Sequence, residues 1–553
     1  MIGQPHWFGP SKSIFGIVHW PESAVRAGVI ICSPIGYEAV SAHQTLLVLA
    51  ESLAANGFAA LRVAFPTIGN SIRTGLVDDV AEWEQDIAAA VQELRSFGAM
   101  RVAVVGMRFS ATLVARMASP LSPDALVLID PVVSGRRYTR GLRLLAIEAE
   151  NGVVAAGIRF DNDTLSSMIR VSLDIDELLV PTLVIQRSEP TSEAVLVASG
   201  GLPVTVERLH GLSCLLDTDA ELAVTPRPII ERVCTWLDSM FDRSNAVSIP
   251  SPMLCHATTE RTPRGELVHE ATRVGPTGLF AVVTTRPQTR ATRAVIFLNN
   301  GVSPAVGPGS AWLDWAAQVA KSGLLALRLD VDGLGDSPSR PDTAEYDSYP
   351  TGAAEDVSDA IDMLTARGIE HVSIVGLCSG SVLAFDAAVR RKEVDHIMAI
   401  NPRLDKPFHD RSHRAVRAGG QTNRLLAIPL MKAPLFPLLN RIPAPIWWTL
   451  SVMHLVPRPT LGVERAVARG TAVSFVFGPD EWGLKAMQRR SPRHWAQIVA
   501  SPHVDVTIAA ALDHSMFAQE GRREVEAVLH RLLATATHTS PVPTPSSPEV
   551  TSR

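Results

Sequence analysis

The 553-residue chain carries one series of short sequence words twice, in the same order. In the first half an apolar run, Ala27–Ser33, leads to a helix-like segment, His43–Asn56, and a second apolar run, Ala59–Ala64. In the second half the series is Arg293–Asn299, Ala311–Ser322 and Leu324–Asp330. Both second runs contain A-L-R, at Ala60–Arg62 and Ala326–Arg328, and both lead into a turn, I-G-N-S at Ile68–Ser71 and L-G-D-S at Leu334–Ser337. A helical stretch then precedes V-A-V-V-G ending at Gly106 and V-S-I-V-G ending at Gly376, with Asp86 and Asp356 each 20 residues earlier. Agreement in word, order and spacing predicts two copies of one architecture. Buried apolar strands alternating with helices predict a parallel sheet covered on both faces, an α/β fold.

The boundary shows in composition. Residues 244–262 are rich in Ser and Pro and lack apolar periodicity, so they are read as a linker between a domain over 1–243 and a domain over 263–535. The Ser/Thr/Pro-rich stretch 536–553 reads as a disordered tail. With 51 basic and 56 acidic residues the net charge is −5, which gives no electrostatic basis for binding nucleic acid. The mean hydropathy of +0.15 is high. Yet the uncharged runs 294–313 and 442–457 are broken by prolines, and the second falls short of the ~18 residues that a spanning helix needs. No integral membrane span is expected. Met1–Gly16 holds no signal-peptide-like apolar block, so the expected location is cytoplasmic. The five cysteines form no C-x-x-C pair or zinc-spaced cluster, so neither a metal nor a cofactor is expected.

One cysteine stands apart. Gly376-Leu377-Cys378-Ser379-Gly380 follows an apolar strand, His371–Val375, and precedes a helix-like run, Ser381–Arg391. A tight strand-to-helix turn of this kind exposes its central side chain, and a thiol there is a strong nucleophile beside a helix N-terminus that favours negative charge. Such a nucleophile needs an acid and then a histidine later in the chain. After the strand Thr471–Phe477 come Asp480 and Glu481, both candidates for the acid. After Val504–Ala509 comes D-H-S-M-F, which offers His514 as the base. An oxyanion hole takes two backbone N–H groups. Ser379 supplies one, and Val302, in the loop Asn300-Gly301-Val302 after the first core strand, is the expected second.

On these residues the chain resembles the α/β-hydrolase superfamily, and most nearly tandem proteins similar to exosortase-system-associated and serine aminopeptidase-like hydrolases. S-P-I-G-Y-E at Ser33–Glu38, G-R-R-Y at Gly135–Tyr138, A-A-G-I at Ala155–Ile158 and G-L-C-S-G carry the resemblance, which spans roughly residues 5–535. It implies two tandem α/β-hydrolase domains, the second with a helical cap at about 403–468. Hydrolases of this type commonly show G-x-x-D at the acid. Counting from Gly478 favours Glu481 and residue type favours Asp480, so both stand.

The first domain reads Gly106-Met107-Arg108-Phe109-Ser110 at its elbow, and an arginine is no acyl nucleophile. That domain is therefore expected to be non-hydrolytic, with Arg108 ion-paired or holding an anion. The cap segment includes Trp447 and Trp448 among many apolar residues, and they are expected to contact an apolar acyl substrate. A homodimer interface and ordinary core packing are the competing readings for that segment. The expected partner is a small-molecule or carrier-bound acyl group, processed by acyl transfer through an acyl-cysteine. A non-catalytic binding protein is the alternative.

Overall fold

The computed structural model describes residues 3–66, 69–72, 79–191, 194–198, 200–201, 203–247, 257–262, 265–341, 343–350, 352–404, 445–446 and 458–538. The first half contributes β1 (Gln4–Phe8), β2 (Ile14–His19), β3 (Ala27–Cys32), β4 (Phe58–Val63), β5 (Val102–Met107) and β6 (Ala125–Ile129). A small antiparallel sheet of β7 (Ile147–Ala149), β8 (Gly152–Ala155) and β9 (Ile158–Phe160) follows, and the chain then returns through β10 (Thr182–Arg187) and β11 (Val204–Leu209). The main sheet has eight strands in the order β1-β2-β4-β3-β5-β6-β10-β11, parallel from β4 onward.

The second half comprises β12 (Ala257–Thr262), β13 (Gly265–Val274), β14 (Leu279–Thr285), β15 (Arg293–Leu298), β16 (Leu325–Leu329), β17 (His371–Leu377), β18 (Val394–Ile400), β19 (Ala472–Phe477) and β20 (Val504–Ile508). Its nine strands run β12-β13-β14-β16-β15-β17-β18-β19-β20, parallel from β16 onward. Both halves thus have the tandem α/β-hydrolase architecture, with the first core strands β3 and β15 at equivalent places.

Helices cover both sheets because their apolar residues recur at helical spacing. In Asp79–Ser96, Val80, Trp83, Ile87, Val91 and Leu94 line one buried stripe against the sheet. Each such burial contributes ~1.5–3 kcal/mol relative to exposure.

The repeated words meet each other across the domain interface. Arg62, from A-L-R of the first half, donates to Asp336, from L-G-D-S of the second, at 2.5 Å. Arg328, its counterpart, donates to Asn70 of I-G-N-S at 2.6 Å. The terminal serines do matching work at home: the Phe15 N–H donates to Ser71 Oγ at 2.9 Å and the Phe280 N–H to Ser337 Oγ at 2.7 Å. Phe15 and Phe280 then pack on each other, ring centroids 5.8 Å apart. Residue i of one half contacting j of the other, and j contacting i, is the signature of a two-fold interface, here within one chain. His43 adds a contact to Asp336 at 3.2 Å, and Tyr346 donates to the Ser41 carbonyl at 2.9 Å.

Two boundaries and one element differ from expectation. The stretch 244–262 ends in strand β12, whose Thr-Thr-Glu-Arg-Thr sequence has none of the apolar alternation that marks a half-buried strand. The last helix runs Gln519–His538, past residue 535, because no helix breaker stands in Ala-Thr-Ala-Thr-His. The N-terminal hairpin β1–β2 was not anticipated. Residues 539–553 of the expected tail, and residues 405–444 and 447–457 of the expected cap with Trp447 and Trp448, lie outside the described residues, while the end of the expected cap forms the helix Leu461–Ala468. Among the described residues no helix is long and apolar enough to cross a membrane.

Candidate active site

Strand β17 delivers the elbow. Cys378 has φ 53° and ψ −109°, and caps the helix Ser379–Arg390. This left-handed turn brings backbone against backbone: a Cβ on Gly376 would lie 2.4 Å from the carbonyl carbon of Gly380, so glycine is needed there. Cys378 is half-buried and its side chain is free of any disulfide.

His514 sits in the loop between β20 and the last helix and joins two partners. Its Nδ1 lies 2.8 Å from Glu481 Oε1, and it lines the same cavity as Cys378. Cys378 first and Glu481 second push the imidazole pKa up to about 10 against the opposing effect of burial. The neighbouring Asp513 is a turn former. Its carboxylate accepts from the N–H groups of Ser515, Phe517 and Ala518 at 3.0, 3.0 and 2.6 Å, which fixes the loop that carries His514.

The two acid candidates separate sharply. Glu481 is 8% exposed and faces His514. The side chain of Asp480 is 93% exposed and pairs with Lys485 at 2.8 Å, which lowers its pKa. The reason is local. Glu481 stands immediately before the helix Trp482–Arg490, at the point where the chain turns back toward the sheet end, while Asp480 lies at the outer side of that turn.

Two residues that sequence reasoning passed over organise this site. Asn401, fully buried at the end of β18, donates to the carbonyls of Asp513 and His514 at 3.0 and 3.1 Å and accepts from the Gly478 N–H at 2.9 Å. It ties the acid loop to the base loop. A buried amide directly after an apolar strand was the available signal. Asn401→Ala is expected to cost about 2–3 kcal/mol of stability by orphaning these groups, and to lower turnover with it. Urea unfolding and steady-state kinetics check both. Tyr349 is the second: burial, followed by the neighbouring Cys378, raises the pKa of its phenol.

The loop Asn300–Val302 lies beside the elbow. The Gly301 N–H donates to Ser379 Oγ at 2.9 Å, which pins the loop to the first turn of the helix. The Val302 N–H makes no hydrogen bond among the described residues. The Ser379 N–H stands in the first helical turn, where donors lack intrahelical partners. Behind the loop, Asp330 accepts from Asn299 and Ala305 at 2.8 and 2.7 Å, and burial together with Asp336 pushes it up to about 6. The cavity over Cys378 and His514 has a volume of about 80 Å³ and is closed partly by Tyr37 and Glu221 of the first domain.

The first domain has the same elbow with Arg108 at its apex. Arg108 has φ 59° and ψ −125°, like Cys378, but its guanidinium is buried and paired with Glu38 at 2.8 Å and Asp130 at 3.1 Å. Burial opposes its charge, yet Glu38 and Asp130 outweigh that and hold its pKa above the ordinary arginine range. Ser110 is fully buried and donates to the Cys32 and Met107 carbonyls. His210 of the late loop is exposed, its side chain 82% accessible. Among the described residues no cluster of His, Cys, Asp and Glu could hold a metal.

Residues 7–133 match the family model of FrsA-like esterases, a span that contains the Arg108 elbow and not Cys378. No curated protein matches the chain. Solved structures similar to it include a lidless α/β serine hydrolase from Xanthomonas campestris, 17% identical, covering 45% of this chain and 98% of that one with a TM-score of 0.29. Est1E from Butyrivibrio proteoclasticus is 14% identical, over 43% of this chain and 98% of that one, with a TM-score of 0.32. The proline iminopeptidase of Mycobacterium smegmatis is 18% identical, over 49% and 98%, with a TM-score of 0.30.

Proposed function

We propose that the chain is an acyl-transfer enzyme of the hydrolase class, acting on an ester or thioester through an acyl-cysteine in its second domain. The observation that carries this reading is the grouping of Cys378, His514 and Glu481, with His514 bonded to Glu481 at 2.8 Å and sharing one cavity with Cys378. The esterase family match over residues 7–133 agrees with the hydrolase class. The likeness to exosortase-system-associated hydrolases rests on the sequence words alone.

In the proposed reaction the Cys378 sulfur attacks the acyl carbonyl, and its proton resides on His514. The carbonyl oxygen gains charge beside the N–H groups of Val302 and Ser379. As the tetrahedral intermediate collapses, His514 protonates the leaving alcohol or thiol. The acyl-cysteine is then attacked by water or another acceptor, whose proton His514 takes, and Cys378 is released. Glu481 holds the imidazole in orientation and stabilises its cationic form. Incubation with an acyl-thioester panel, read by intact mass, is expected to trap an adduct on Cys378 that Cys378→Ala lacks. Absence of any adduct and of any turnover would favour the non-catalytic binding protein.

Two substitutions separate the acids. Glu481→Gln is expected to lower kcat/KM about 100-fold. A raised histidine pKa keeps the imidazolium through neutral pH and loses it as pH rises through about 10, so the alkaline limb of the pH–rate profile lies there. Removing the Glu481 charge brings that limb down by about one pH unit or more. Asp480→Asn is expected to leave both the rate and the profile unchanged, since its carboxylate faces solvent and Lys485.

A further inference from the structure

The inactive first domain has a loop in the place where an active domain keeps its oxyanion loop: the segment after β3, ending at Tyr37. Its counterpart after β15 is Asn300–Val302. In the first domain this loop serves no nucleophile of its own. Glu38 instead fills the dead elbow, accepting from Arg108 Nε at 2.8 Å and from the Tyr138 hydroxyl at 2.9 Å. The residue before it, Tyr37, turns outward to the other domain and lines the cavity of Cys378 and His514.

Tyr37 is held firmly there. Its ring meets Phe517, from the loop that carries His514, edge to face with centroids 5.9 Å apart. Its hydroxyl is bonded to the backbone of Ala220. Next to it, Glu221 closes on the oxyanion loop so tightly that a Cβ on Gly301 would lie 2.5 Å from Glu221 Oε1. The helix that begins at Glu38 is clamped to the second domain through Ser41 and Tyr346. Tyr37 and Glu221 thus form one side of the cavity that Cys378 and His514 line.

We infer that Tyr37 of the first domain is a specificity wall of the second domain's site, discriminating by length among the acyl groups that Cys378 can carry. The first domain is then a substrate-selecting element whose elbow, filled by the Arg108–Glu38 pair, braces the residue next to Glu38 that does the selecting. The inference deepens the acyl-cysteine reading and rests on it for its meaning, while its test needs only the thiol.

The test compares alkylation of Cys378 by iodoacetamide and by N-hexyl-iodoacetamide, read by peptide mass on the full chain. In the wild type the hexyl reagent is expected to lag. Tyr37→Ala is expected to raise the hexyl-to-unsubstituted rate ratio about tenfold or more, the scale on which apolar pockets discriminate size. Tyr37→Phe, which keeps the ring, is expected to leave the ratio within about twofold of wild type. A smaller rise in the alanine variant, or an equal rise in the phenylalanine variant, overturns the inference. Tyr37→Leu, apolar but shorter than the ring, carries the same expectation if the alanine variant does not fold. A flat ratio leaves the acyl-cysteine reading standing. A raised ratio without acyl turnover leaves the wall standing and removes the reading.

Discussion

Cys378→Ala is expected to lower kcat/KM for a p-nitrophenyl ester by at least about 10⁴-fold, because loss of the nucleophile removes the whole covalent path and leaves only binding and oxyanion stabilisation. The fold should survive. Cys378 is half-buried, and alanine meets the same cost at φ 53° that cysteine already bears. A thermal midpoint equal to wild type, together with lost activity and lost adduct, is the expected pair of results. Retained activity would place the chemistry elsewhere. Cys378→Ser is the instructive companion. It keeps the elbow and restores an oxygen nucleophile, but it removes the sulfur partner that comes first among the causes raising the His514 pKa. The serine variant is therefore expected to show an alkaline limb at lower pH than wild type, with activity between those of wild type and the alanine variant.

Asp336→Ala is expected to destabilise the chain by about 3–5 kcal/mol, read as a lowered urea midpoint. Its carboxylate is 9% exposed and faces Arg62, 8% exposed, and His43. Truncation would leave the Arg62 guanidinium buried at the domain interface without its anion, which costs far more than the pair gains over an apolar substitute. The double variant Arg62→Met with Asp336→Leu should accordingly recover much of the loss, a coupling that a double-mutant cycle measures. The pH dependence has a definite sign. Burial opposes the Asp336 charge, but Arg62 and His43 hold its pKa well below the usual carboxylate range. Its contribution is full above the unfolded value near about 4 and is lost as pH falls below that. The variant should lack that acid-side loss.

How much of this was legible in the sequence differs from residue to residue. The α/β halves, the elbow and His514 follow from local rules: apolar runs of strand length, glycines flanking a nucleophile, a histidine just before the last helix. The choice between Asp480 and Glu481 did not follow. Adjacent carboxylates have one composition and one spacing, and only the turn into the helix Trp482–Arg490 buries one and exposes the other. Asn401 lies 77 residues from Gly478 and 113 from His514, and its three hydrogen bonds exist only when three strand ends converge. The words A-L-R and G-x-S mark the repeat, but nothing in them shows that Arg62 reaches across to Asp336. The strand β12 was missed because its residues carry no apolar alternation.

The sequence by itself determined that there are two related α/β halves and that one of them kept a thiol, an acid and a histidine in the required order. Those properties depend on residue type and near-neighbour spacing, which a linear chain displays in full. The tertiary structure alone decided which carboxylate reaches His514, and that Tyr37 and Glu221 of the first half line the cavity of Cys378 and His514. Proximity between residues hundreds of positions apart is set by how two sheets dock, through Phe15 on Phe280 and Arg62 on Asp336. That docking energy is spread over the interface and leaves no local signature at Tyr37.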